Sequence, residues 1–349
     1  MISTYCHFPG NSVVVERVVS YGLMLEHAMV AGSGNVSPAL SFVVPVYNAA
    51  TTIGEVVQRI RATCGNESFE IVLVNDGSRD QSEQVCQELA RQWPELIVFA
   101  QLSRNFGEHN AVLAGLRIAR GKCVAVLDDD GQNPPEEVPA MRQKLLDEDL
   151  DVVYGRYMER KHSLLRRLGS AFNDRMANVM LGKPRGLYLS SFKVMSRFVV
   201  EQIVLYQGPF PYIDGIIWRA TGRVDQIDVQ HDERLAGASN YNMRRLIRLW
   251  LNMFLGFSIL PLRVATLTGV ITAGISVLGF IAVIVDKLWI TPELTMGIPT
   301  TIASIVFFSG VQLIVLGTIG EYVGRIFLGE SGTPQSVVRY VVEEGTRSE

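Results

Sequence analysis

The chain has 349 residues, 48% of them hydrophobic, with 32 basic against 35 acidic side chains and a net charge of −3. That length allows one large or two modest domains with ample surface to bury, and the charge balance gives no basis for a nucleic-acid partner. The mean hydropathy of +0.20 is high for a soluble enzyme, and Cys6, Cys64, Cys86 and Cys123 lack metal-type spacing, so they are expected to stay reduced in a cytoplasmic domain.

In chain order, residues 1–38 show no periodicity and no basic-then-apolar secretory signal; they are read as an extension without assigned function, with Met24 and Met29 as alternative starts. From residue 41 short apolar runs alternate with amphipathic ones, which predicts βα units and a mostly parallel sheet. Strands are expected at 41–46, 69–75, 96–101 and 122–127, and helices at 52–63, 80–92 and 108–120. No Gly-x-Gly-x-x-Gly follows the first strand and no Walker-type loop is present, which disfavours a dehydrogenase or a P-loop enzyme. A helix from 135 to about 147, a strand at 151–154, a basic stretch at 156–175, a strand near 187–195, a helix through about 206 and a strand at 223–230 complete a unit covering 39–240.

Residues 241–262 are expected to hold an amphipathic interface helix, since Arg residues mix there with Leu, Ile, Trp250, Met253 and Phe257. Two uncharged apolar runs follow, at 264–285 and 298–320. The first would be about 33 Å long as a helix, enough to cross a hydrocarbon core of about 30 Å. Arg244, Arg245, Arg248 and Arg263 precede the first run and Arg325 follows the second, while the loop between holds Asp286, Lys287 and Glu293. The positive-inside rule then puts both termini, the globular unit and a tail at 326–349 in the cytoplasm, with 263–325 as a two-span anchor.

The fourth of these strands, at 122–127, runs into Asp128-Asp129-Asp130-Gly131-Gln132-Asn133-Pro134-Pro135-Glu136. Open α/β sheets bind ligands at the carboxyl ends of their strands. If the chain stays extended, Asp128, Asp130 and Gln132 fall on one side as three oxygen ligands for Mg²⁺ or Mn²⁺ clamping a diphosphate. An acidic turn before a helix accounts for the same residues equally well. Pro45-Val46-Tyr47-Asn48 ends the first strand and Asn75-Asp76-Gly77-Ser78 the second. Together they could grip a nucleobase, Tyr47 against its face and Asp76 accepting an imide hydrogen bond, although each taken singly reads as a turn and helix cap. Ser103-Arg104-Asn105-Phe106-Gly107, followed by Ala111 and Gly115, opens a helix whose small residues would let it lie close to the sheet, with Arg104 suited to neutralise phosphate.

These motifs, in this order, resemble those of the family 2 glycosyltransferases of the GT-A fold. The match continues through Arg234-Leu235-Ala236-Gly237-Ala238-Ser239-Asn240-Tyr241, Pro261-Leu262-Arg263 and Gly320-Glu321-Tyr322-Val323-Gly324-Arg325. This further part is similar to the polyprenyl-phosphate glycosyltransferases, relatives of dolichol-phosphate mannose synthase, and most of all to the undecaprenyl-phosphate 4-deoxy-4-formamido-L-arabinose transferases. The resemblance implies an inverting transfer from a nucleotide sugar to a polyprenyl phosphate at the inner membrane of a bacterium, by a homo-oligomer. It implies donor contacts from Pro45, Tyr47, Asn48, Asp76, Ser78, Arg104, Asn105 and Asp128, and a metal at Asp128, Asp130 and Gln132. It further implies that Arg156, Arg166, Arg234, Ser239 and Tyr241 hold the acceptor phosphate. That phosphate carries about −1.5 to −2 charge at neutral pH, so no general base is required, and His109, His162 and His231 are read as surface or packing residues.

Three departures, Ala49 for an acidic residue, Asn240 for Lys, and Ser190-Ser191-Phe192-Lys193 for Asp or Gly before Phe-Arg, bear on the sugar more than on the reaction. A processive polysaccharide synthase is disfavoured because no Gln-x-x-Arg-Trp motif is present. A catalytically silent membrane scaffold is disfavoured by the intact Asp128, Asp130 and Gln132.

Overall fold

The structure, a computed structural model, describes residues 37–65, 67–157, 187–208, 210–230, 260–285, 289, 298–331 and 334–343. Strand β1 (Leu40–Val46) is buried along its whole length, as a strand covered on both faces must be. It pairs in parallel with β2 (Phe69–Asn75) on one side and β4 (Cys123–Val126) on the other. Beyond β2 lies β3 (Ile97–Leu102), also parallel. Beyond β4, β6 (Lys193–Ser196) runs antiparallel to both β4 and β5 (Val152–Tyr157), and β7 (Val224–Val229) is parallel to β5. With β8 at Val338–Val342, the full order is β7-β5-β6-β4-β1-β2-β3-β8.

Alternation along the strands divides the core between the two faces. Phe42, Val44 and Val46 join Ile53, Val57 and Ile60 of α1 (Ile53–Thr63), Cys86 and Leu89 of α2 (Ser82–Gln92), and Val138, Met141 and Leu145 of α4 (Val138–Asp147). Val43, Val72 and Val74 instead meet α3 (Glu108–Ile118), α5 (Arg197–Val204) and α6 (Ile213–Ala220). The small residues of α3 do let it lie close: a Cβ on Gly115 would come within 2.5 Å of Val43 Cγ1. The expected strand near 187–195 is shorter than predicted, because Ser190 and Ser191 turn their hydroxyls to local partners and pairing begins only at Lys193.

Two long helices follow, α7 (Leu260–Val285) and α8 (Ile298–Glu330), which pack on each other. Large apolar side chains on both point outward, among them Leu267, Ile275, Leu278, Leu313, Ile314 and Phe327. Within the described residues one stretch, Phe307–Glu330, is long and apolar enough to cross a membrane. The expected interface helix lies mostly outside the described residues.

The tail holds an element that the sequence reading lacked. Strand β8 (Val338–Val342) runs antiparallel to β3 and covers what would otherwise be the sheet edge. Gln335 fastens its approach, taking Nη2 of Arg117 on Oε1 at 2.7 Å and donating Nε2 to the carbonyls of Tyr206 at 3.0 Å and Gly208 at 2.6 Å. The Arg325 guanidinium of α8 lies 5.0 Å from the ring centre of Phe210, so the helix and the strand after it both touch the α/β domain.

Candidate active site

Three loops at the carboxyl ends of β1, β2 and β4 meet where an open α/β sheet offers its binding crevice. The first two are knit together. Asn48, with φ of 56°, donates its N–H to Ser78 Oγ at 2.9 Å and accepts the Arg79 N–H on Oδ1 at 2.8 Å. Ala49 N–H donates to Ser82 Oγ and Ala50 N–H to Asp80 Oδ2. Ser78 in turn donates to Asn75 Oδ1 at 2.5 Å, and buried Asn75 donates to Gln101. Gly77 has no substitute in this arrangement: its φ is 62°, and a Cβ would lie 2.5 Å from the backbone of Arg104 and Asn105.

Asp76 follows directly on β2. It is 3% exposed, and its two carboxylate oxygens accept the backbone N–H groups of Phe106 at 2.7 Å and Gly107 at 2.8 Å. The reason is physical: the entry to α3 offers orphan donors, and a buried carboxylate needs them. Asp76 therefore fastens the end of β2 to the Arg104–Gly107 loop. Pro45 is buried, Tyr47 half-buried, and Arg104 and Asn105 exposed, with the Arg104 guanidinium 4.8 Å from the ring centre of Phe106.

The Asp cluster also differs from an extended ladder of ligands. β4 ends at Val126 and the chain turns at Asp129 and Asp130, where Asp130 Oδ1 accepts the Gln132 N–H at 3.1 Å. Asp128 and Asp129 still go opposite ways. Asp128 Oδ2 accepts the Ser191 hydroxyl at 2.6 Å, while Asp129 Oδ2 accepts the Tyr47 N–H at 2.7 Å and its carbonyl takes the Thr52 hydroxyl at 2.7 Å. Asp129 thus ties the β4 turn to the end of β1. Arg59 clamps the far side of the turn, donating to the Gly131 carbonyl and, through Nε and Nη2, to both carboxylate oxygens of Glu136.

Burial, then Glu108, pushes the Asp128 carboxyl up, with Asp130 adding and the Ser191 hydroxyl opposing. Burial likewise raises Asp129 to about 7 against the stabilising Tyr47 N–H. Both carboxyls therefore sit where their surroundings disfavour the ionised form. Among the described residues no group of three or more His, Cys, Asp or Glu is arranged to hold a metal. The donors here are two carboxylates and an amide, which fits Mg²⁺ or Mn²⁺ sharing its shell with a diphosphate.

Beneath the site Lys193 and Asp214 form a buried ion pair, and the Tyr154 hydroxyl donates to Asp214 at 2.9 Å. His109 packs edge-on against Tyr212, 5.2 Å between ring centres, in keeping with a packing role. Arg156, at the end of β5, is exposed and paired with Asp228. Arg166, Arg234, Ser239 and Tyr241 lie outside the described residues. Ser191, Asn133 with its acceptor contact from the Tyr157 hydroxyl, and Arg59 are site residues that sequence reasoning missed. A hydroxyl before Phe192 was visible only as a departure from pattern, and Arg59 read as the polar face of α1.

The model of glycosyl transferase family 2 matches residues 41–204. The undecaprenyl-phosphate 4-deoxy-4-formamido-L-arabinose transferase of Serratia proteamaculans (strain 568) is 32% identical over 308 residues, 87% of this chain and 94% of that one. The protein of the same name from Enterobacter sp. (strain 638) is 31% identical over 315 residues, 88% of this chain and 95% of that one. The chain belongs to glycosyl transferase family 2. The likeness of this family 2 glycosyltransferase to these relatives extends over most of the chain. Glucosyl-3-phosphoglycerate synthase of Mycobacterium tuberculosis, solved with Mn²⁺ and uridine diphosphate, is 19% identical with a TM-score of 0.48, covering 73% of this chain and 86% of that one. That likeness is too distant to bear on the ligands of this glycosyltransferase.

Proposed function

We propose that this glycosyltransferase moves a sugar from a nucleotide-sugar donor to the phosphate of undecaprenol or a similar polyprenol, with inversion, at the cytoplasmic face of a bacterial inner membrane. The observation that carries this is one of placement. Half-buried Asp128, the Asp130 turn and the Arg156 guanidinium stand at one end of a sheet whose last strand, β8, follows directly from the outward-facing apolar helix α8. The relatives' names point to the same class of acceptor.

The donor's nucleotide would lie over Tyr47 and the Asn48–Ser78 junction, with Arg104 near its phosphates and Asp76 acting through the loop that it fastens. Asp128, Asp130 and Gln132 would hold Mg²⁺ or Mn²⁺, which would offset the charge of the departing diphosphate. The Ser191 hydroxyl keeps the Asp128 carboxylate in one orientation, and Arg59 and Asp129 keep the turn in place, so the site is set before the donor binds. Arg156, with Arg166, Arg234, Ser239 and Tyr241, would hold the acceptor phosphate, which attacks as an anion and needs no residue to take a proton.

The two-span anchor belongs to the same proposal. β7 and β8 share one sheet, so the chain between them crosses a bilayer an even number of times. With α8 as one span, the partner helix α7 is the natural second. Glu321, ion-paired with Arg325 beside Phe210, marks where α8 leaves the hydrocarbon. The test is to offer membranes holding the protein, with undecaprenyl phosphate, a panel of labelled nucleotide sugars. Label from one donor should enter the organic phase; no transfer from any donor, with active relatives run alongside, would refute the proposal.

A further inference from the structure

Arg156 and Asp228 stand opposite each other in the register of β5 and β7. The guanidinium holds the carboxylate with two bonds, Nε to Oδ1 at 2.5 Å and Nη2 to Oδ2 at 2.8 Å. Their side chains are 46% and 45% exposed. A cross-strand ion pair of this kind steadies an edge strand slightly, and that alone would explain it. Its position gives it a second consequence. Arg156 lies two residues beyond Tyr154 at the carboxyl end of β5, where the proposed function needs a cation for the acceptor phosphate. Asp228 takes up the Nε/Nη2 edge of the guanidinium, and the fork geometry that suits a carboxylate suits phosphate equally. Asp228 therefore occupies the place that two phosphate oxygens would take.

We infer that Asp228 sets acceptor specificity, yielding Arg156 to a phosphomonoester and withholding it from the phosphodiesters of the surrounding bilayer. This rests on the reading of Arg156 as an acceptor-phosphate ligand. A phosphomonoester carries about −1.5 to −2 charge at pH 7. A phosphodiester, with one ionisable oxygen fewer, carries a single charge, the same as the carboxylate already in place. Exchange of Asp228 for a diester thus gains no charge at the guanidinium, while exchange for a monoester does. The distinction matters at a membrane, where anionic headgroups gather basic side chains without selecting among them and far outnumber any acceptor lipid. Discrimination of this sort is made by an element that opposes the wrong ligand. The exposure of the pair makes the exchange practicable, because a displaced Asp228 returns to water and is not left buried without a partner.

The experiment measures transfer kinetics of the full chain in neutral detergent with undecaprenyl phosphate, with and without added phosphatidylglycerol, using the donor found in the panel. Wild type, Asp228→Asn and Arg156→Ala are compared, with donor KM and thermal melting as controls on the fold. Arg156→Ala should raise acceptor KM about tenfold or more, the loss of a charge-assisted pair. Asp228→Asn should lower acceptor KM several-fold without phosphatidylglycerol, the effect falling on KM, and should lose that advantage when the lipid is added, while wild type shifts little. If Arg156→Ala raises acceptor KM but Asp228→Asn leaves it unchanged or raises it, the inference is overturned and the Arg156 reading stands. If Arg156→Ala leaves acceptor KM unchanged, Arg156 is not an acceptor ligand, and the inference falls with that reading.

Discussion

Asp128, Asp129 and Asp130 are adjacent in the chain and differ in what holds them, so their substitutions should separate. Asp130→Asn should cut transfer by about a hundredfold or more while the protein melts as wild type, as expected for a carboxylate kept for a cation. Asp129→Asn should keep transfer, since the amide oxygen can still accept the Tyr47 N–H and the native carboxyl is already raised to about 7. Asp129→Ala should lose about 1 kcal/mol of stability by leaving that partly buried N–H without its acceptor. Melting curves and initial rates on the three variants check this set. Strand alternation was enough to send Asp129 away from Asp128; the partner waiting at Tyr47 depends on how two distant loops meet, which no local pattern records. The same is true of Asp76, whose bonds to the N–H groups of Phe106 and Gly107 join the end of β2 to a loop distant in the chain.

A second residue, Asp151, gives a pH dependence. Burial pushes its pKa up, but Arg223, Thr221 and Ser196 outweigh burial and hold it below its ordinary 3.8. As pH falls the unfolded chain takes up the proton first. The stability that Asp151 supplies is therefore whole above about pH 4 and is lost as pH drops through the lowered folded value. Asp151→Asn should melt below wild type at pH 7, and the gap should narrow under acid conditions.

Among the elements, β1 to β4 and α1 to α4 were legible because buried parallel strands are continuous apolar runs and the helices between them are amphipathic. Helix α6, only eight residues with Gly215 inside it, gave a weak signal. Strand β8 gave a better one, Val338-Arg339-Tyr340-Val341-Val342, but its pairing partner β3 lies far back in the chain, and such pairing has no local signature. Tyr340 anchors it, donating to Glu83 at 2.6 Å, bonding Gln87 and meeting Phe99 edge-on. Tyr340→Ala should cost about 2 kcal/mol. Ending the chain at residue 331 should expose the β3 edge and give aggregated protein by size-exclusion chromatography in detergent, where wild type elutes as one species.

For the molecule as a whole, strands from both sides of the apolar helices join one sheet, and the proposed two-span anchor is the membrane arrangement built on that pairing. Glu293→Cys, in the loop between the helices, should react with a membrane-impermeant thiol reagent in intact cells, and Ser348→Cys only after permeabilisation. Labelling of both from the same side would contradict the two-span anchor. Hydropathy found both helices, but not that α8 continues to Glu330 and returns the chain to the catalytic domain through Gln335. The central claim, donor activation at the Asp128–Asp130 turn for transfer to a lipid phosphate, is tested most directly by following labelled sugar into undecaprenyl phosphate with the purified chain, first in chelator and then with Mn²⁺ or Mg²⁺ restored. Transfer should vanish in chelator and return with either cation in wild type but not in Asp130→Asn; undiminished transfer in chelator, or full activity in the variant, would contradict it.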